Sequence, residues 1–166
     1  MSKLLLCAFA LLLSFSAGPS FAVNANFEEG VAKASMVLGV SDLVSVTIET
    51  IELPNGYAYS KAYMWGGDET FPPKKIIRAI AVLKNGEPIF IPLSAYADLG
   101  NPRKISLKKL PSHGFRLIIS GGDAASSYNA MLDFNKNEIS RRKVVSGEFP
   151  KEVWEETTFS FNHLNN

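Results

Sequence analysis

Apolar and polar residues alternate along most of this chain, and a side-chain period of two marks an extended strand with one buried face. The first clear run is Val44-Ser45-Val46-Thr47-Ile48-Glu49. Its phase shifts near Thr50, after which Ile51 and Leu53 carry the apolar set. A slip of one residue moves every side chain to the other face, so a bulge or bend is expected there. Pro54-Asn55-Gly56-Tyr57 then centres an Asn-Gly pair, which tolerates positive φ at both middle positions of a type I′ turn. The hairpin this predicts has a second arm with Tyr57, Tyr59, Tyr63 and Trp65 on one face. Ala58, Ser60, Ala62 and Met64 fall on the other.

The same grammar gives a second hairpin, from Lys75 to Leu83, through the Asn85-Gly86 turn, to Glu87 to Leu93. Ser94 to Leu99 reads as one helical turn closed by Gly100, with Asn101-Pro102 blocking its continuation. Beyond it, Ile105 and Leu107 alternate with Lys104, Ser106 and Lys108, a strand with one wet face. Phe115, Leu117 and Ile119 form the apolar face of the next strand, and Tyr128, Ala130, Leu132 and Phe134 that of the one after it. Asn135-Lys136-Asn137 turns the chain into Glu138 to Val145. Pro150 to Glu156 reads as a short helix opening on proline, followed by a closing strand from Thr157 to Asn162. Phe149, Val153 and Trp154 are expected to close one end of the core. The stretch from Val23 to Val40 carries no decisive pattern. The expectation is an all-β fold, an antiparallel β-sandwich or barrel of about eight to nine strands with one or two short helical turns. No alternation of strand and helix is present, which disfavours a parallel α/β sheet.

The N-terminus breaks the pattern. Lys3 precedes an apolar run from Leu4 to Leu13, and Ser20-Phe21-Ala22 places small residues where a signal peptidase reads. A membrane span would need roughly 20 apolar residues, so the run is read as a signal peptide, residues 1–22, cut after Ala22. One domain, residues 23–166, remains, with no membrane-spanning segment of its own. Cys7, the sole cysteine, goes with the leader, so the exported domain would have neither a disulfide nor a free thiol. No Asn-x-Ser/Thr acceptor occurs, which suits a bacterial periplasmic or secreted protein.

Composition narrows the function classes. With 46% hydrophobic residues in a 166-residue chain there is ample material for a core, so disorder is excluded. A formal charge of +1 provides no basic field for phosphates, and nucleic acid is not an expected partner. Catalytic constellations are also lacking. Gly-x-Ser-x-Gly is absent, and Ser112 and His113, as neighbours on an extended chain, point in opposite directions. The two histidines, fifty positions apart, and scattered acids match no metal-ligand spacing, and no carboxylate pair stands out for glycoside hydrolysis. No catalytic residue, cofactor or metal is therefore assigned.

Two features are left as binding candidates. One is the aromatic face Tyr57, Tyr59, Tyr63, Trp65, a platform for a glycan or protein partner unless it fills the core. The other is the polar loop Ser120-Gly121-Gly122-Asp123, left through Tyr128, whose small residues expose backbone donors. Trp65-Gly66-Gly67-Asp68 echoes that loop, and the two are expected at comparable ends of the sheet.

A signal peptide, a small all-β domain and a Ser-Gly loop running into tyrosine resemble the periplasmic lysozyme inhibitors of Gram-negative bacteria. In those families such a loop enters the lysozyme cleft and bonds its catalytic carboxylates. The resemblance implies that role for Ser120, Gly121, Gly122 and Tyr128, and implies a lysozyme as protein partner. The expected function is non-enzymatic recognition, with inhibition of a cell-wall hydrolase as its sharpest form. The alternative is an envelope accessory or assembly protein that binds through the aromatic face.

Overall fold

A computed structural model describes residues 23–54, 64–67, 72–111 and 113–161. The expected leader, residues 1–22, and the expected hairpin arm with Tyr57, Tyr59 and Tyr63 lie outside these residues. The ten strands are β1 (Val23–Asn26), β2 (Val31–Leu38), β3 (Asp42–Glu52), β4 (Lys75–Lys84), β5 (Glu87–Ile89), β6 (Pro102–Lys109), β7 (Phe115–Gly121), β8 (Tyr128–Asn135), β9 (Glu138–Ser146) and β10 (Val153–Thr158). They form a six-stranded sheet, ordered β1-β6-β7-β8-β9-β10, and a four-stranded sheet, ordered β2-β3-β4-β5. Every named strand pair is antiparallel, as expected for an all-β sandwich. Among the described residues, no helix is long and apolar enough to cross a membrane.

Alternation decides which side chains meet between the sheets. Val44, Val46 and Ile48 of β3 face Ile105 and Leu107 of β6, Phe115, Leu117 and Ile119 of β7, and Ala130, Leu132 and Phe134 of β8 in one buried cluster. Phe115 and Phe134 stack with ring centroids 4.4 Å apart. The bulge expected near Thr50 is present as a register shift against β4 between Glu49 and Thr50. Beyond it the chain does not return to the core, however, and Ile51 is exposed. The Asn85-Gly86 turn has φ of +54° and +87°, the type I′ geometry its sequence predicts.

Two readings need correction. Leu93–Ala95 forms a 3-10 turn, shorter than the helical turn expected over Ser94 to Leu99. In place of the helix expected over Pro150 to Glu156, a turn at Pro150 and Lys151 leads into β10 from Val153, paired along the free side of β9 with a bulge between Val153 and Glu155. A helix of this length closes few internal hydrogen bonds, whereas pairing with an existing strand satisfies backbone groups directly. The same switch moves Phe149 and Val153 to the surface, and of the three residues expected to close the core only Trp154 packs against it.

Candidate functional site

Gly66 and Gly122, one from each Gly-Gly-Asp segment, meet at one end of the sandwich. Gly121, the last residue of β7, lies opposite Tyr128 in the sheet. A Cβ on Gly121 would come within 2.5 Å of the Tyr128 hydroxyl. Gly66 and Gly122 hold φ of +81° and +66°, and a Cβ on Gly122 would lie 3.0 Å from Gly66 Cα. The glycines therefore permit both the backbone geometry and the close approach of the two loops.

Asn101 joins the pieces. Its side-chain Nδ2 donates to Gly66 O at 2.8 Å, and its Oδ1 accepts from the Lys74 and Lys75 N–H groups at 2.8 and 3.2 Å. Its carbonyl accepts from the Gly122 N–H at 3.1 Å. Asparagine tolerates the φ of +46° that this junction requires. Around it opens a cleft of about 430 Å³ whose walls include Lys74, Arg103, Gly66, Gly122 and Asp123. Two cations thus stand in one cleft with the exposed carboxylate of Asp123. That carboxylate accepts a hydrogen bond from Ser126 Oγ at 3.2 Å.

The loop residues divide by depth. Asp123 is exposed, while Gly121 and Gly122 are buried. Ser120 is half-buried and donates from Oγ to Asn129 Oδ1 at 2.7 Å. Tyr128 is 1% exposed, with its hydroxyl donating to Gly100 O at 3.0 Å. Burial, reinforced by the nearby Asp98, pushes its phenol far above the ordinary value. Tyr128 is therefore a pillar beneath the loops, which corrects its expected place on a partner-facing surface.

Trp65 is half-buried as well. It stacks on Trp154 with centroids 5.3 Å apart and rings 20° from parallel, and its indole N–H donates to Glu155 Oε2 at 3.4 Å. Its backbone N–H donates to Asp98 O at 2.8 Å. Trp65 is thus taken up in packing against the core, not spread on an open aromatic face.

Behind Trp65 lies a cluster that the alternation pattern missed. Arg142 opposes Leu132 on the inner face of β9 and is 4% exposed. Its guanidinium donates to both Asp98 carboxylate oxygens at 2.7 and 2.8 Å, to Glu155 Oε1 at 3.0 Å and to Ser94 O at 3.2 Å. The charge of Arg142 is spent inside the molecule on tying the Ser94–Asp98 connection to β9 and β10. Arg103 and Lys74 were equally invisible in sequence, because nothing local distinguishes a cleft lysine or arginine from a solvated one.

His113 and the Ser120–Asp123 loop occupy opposite ends of β7, a separation on the order of 20 Å for a seven-residue strand. They cannot share a triad, and Ser112 lies outside the described residues. Among the described residues, no three metal-ligating side chains cluster. Comparison with protein-family models, curated proteins and solved structures finds no match to this chain.

Proposed function

We propose that this is an exported, non-enzymatic recognition protein that binds an acidic site of a partner protein through the Gly-Gly cleft. In its sharpest form it inhibits a lysozyme-like cell-wall hydrolase of the periplasm or the surrounding medium. The observation that carries this reading is the pairing of Lys74 and Arg103 beside Asp123 where the two glycine loops converge. A hydrolase of that class works with two carboxylates across a cleft, which a guanidinium meets with a planar fork of donors. The two cations outweigh Asp123, and the buried glycines hold the two loops together beneath them. Ser120, Gly121 and Tyr128 support the loop from below in this reading.

The test is lysis of peptidoglycan by c-, g- and i-type lysozymes, titrated with the purified protein and with Arg103→Glu and Lys74→Glu. Stoichiometric inhibition of one class is expected, weakened about tenfold or more by Arg103→Glu, the equivalent of about 1.4 kcal/mol. No effect on any class at micromolar excess overturns it. Export is checked separately by N-terminal sequencing of the mature protein, which should begin at Val23.

A further inference from the structure

The outer face of the four-stranded sheet lacks the charges that cover its counterpart. Val44, Val46 and Ile48 of β3 point into the core, so Leu43, Ser45 and Thr47 point outward. Register sets these outward residues in rows across the strands. One row pairs Val37 of β2 with Leu43, and the next runs Ser35, Ser45, Leu83 and Pro88 from β2 to β5. A third runs Lys33, Thr47 and Ala81. Among these residues only Lys33 is charged, whereas the outer face of the six-stranded sheet carries Arg116, Asp133 and Arg141 side by side.

Water is a poor neighbour for such a surface. Val37, Leu43 and Leu83 are 48%, 46% and 39% exposed, and Val40, in the turn that joins β2 to β3, is fully exposed. Leu43 lies directly opposite Val37 and one row diagonal to Leu83, so the three make one apolar corner of the face. Antiparallel sheets that keep one face in water normally set polar side chains on it. An uncharged outer face with an apolar corner suits instead a second sheet, stacked face to face about 10 Å away.

Symmetry and charge select a second copy of this chain as that sheet. A two-fold axis parallel to the strands and midway between β3 and β4 lays each row over its own copy in reverse strand order. Ser45 then faces the partner's Leu83, and Ser35 faces the partner's Pro88. Large side chains thereby meet small ones along the row, and each contact is made twice. Lys33, on β2, falls over the β5 side of the second copy, so the one charge of these rows does not meet itself. A formal charge of +1 leaves little net repulsion between copies. We propose that this face is the interface of a symmetric homodimer. Four strands about 4.8 Å apart, three rows deep, offer on the order of 350 Å² per copy, less than half of the roughly 800 Å² of a standard interface. The dimer is therefore weak and forms at high concentration. This surface is separate from the Gly-Gly cleft and does not depend on the inhibitor reading.

Sedimentation of the purified protein from micromolar to millimolar concentration tests this. The average mass should rise with concentration toward twice that of the monomer. Ser45→Glu and Leu83→Lys each put a charge into the contact without a partner, and each should weaken association about tenfold or more while leaving the circular dichroism spectrum unchanged. Mixing the two variants should restore it. In the mixed dimer the introduced carboxylate meets the introduced ammonium, and the other contact keeps Leu83 against Ser45. A protein that stays monomeric at millimolar concentration overturns the proposal, as does a dimer that either substitution leaves intact. A mixture that associates no better than its two components overturns it as well.

Discussion

Two charged clusters in this molecule are built from the same parts with the signs exchanged. On the outer face of the six-stranded sheet, Asp133 sits between two arginines. Arg116 Nη2 donates to Asp133 Oδ2 at 2.9 Å from β7, and Arg141 Nη2 donates to the same oxygen at 2.8 Å from β9. Between the sheets, Arg142 sits between two carboxylates, Asp98 and Glu155. The first cluster follows from register alone, since Arg116, Asp133 and Arg141 are directly opposed across neighbouring strands. The second draws Asp98 from 44 positions earlier in the chain and Glu155 from the edge strand β10. An ion pair that a ladder would align anyway adds to a sheet already formed, whereas one placed in the interior substitutes for apolar packing and holds a connection in place. A buried charge also raises the cost of losing its partner.

Removing Arg142 should break this comparison most severely. Arg142→Ala leaves two carboxylates side by side at the rim of the core, together with the volume of the lost side chain. Urea unfolding should register a loss of about 3 to 5 kcal/mol. Should the loss stay below about 1 kcal/mol, the interior cluster would be no more important than a surface pair.

Asp133→Asn comes next, with about 1 to 3 kcal/mol expected, because two arginines would face each other across an acceptor of reduced strength. The pH dependence sharpens the point. Burial pushes the Asp133 carboxyl up, but hydrogen bonds and charge from Arg116 and Arg141 outweigh this and hold it below the usual carboxylate range. Its folded value is thus depressed, so its contribution to stability is fully present above the unfolded value near about 4 and is lost as pH falls through the lowered folded value. Unfolding free energies measured between pH 5 and pH 2 should fall less steeply in Asp133→Asn than in the parent. Equal slopes would contradict that role for Asp133.

Glu156→Gln should do least. Glu156 is well exposed and meets Arg141 at 3.3 Å on the rim of the outer cluster, so a change within about 0.5 kcal/mol is expected. A larger loss in the same urea titration would show that the outer cluster works as a network beyond its central Asp133.

Much of the sandwich was legible because its signals are local. The inner residues of β6, β7 and β8 were readable from period two, the bulge at Thr50 from a phase shift, and the turn after β4 from Asn85-Gly86. The Glu29-Gly30 turn carries no Asn-Gly signature, so β1 and β2 were hidden in an undecided stretch. The candidate site was legible only in part. Both glycine segments were singled out, but Asn101, Lys74 and Arg103 became members of a cleft only when three distant parts of the chain met.

What the sequence determined by itself is the set of strands with a strong pattern, the side of each that is apolar, and the tight turns between them. These depend on residues within a few positions of one another, for which backbone sterics and alternation suffice. The tertiary structure decided that Tyr128 is a buried pillar, that Trp65 stacks on Trp154, that Arg142 turns inward, and that the chain after Pro150 extends along β9. Each of those outcomes compares a local preference with a contact made far away in sequence. The long-range contact prevails where it satisfies a backbone edge or a buried charge that would otherwise be left without a partner.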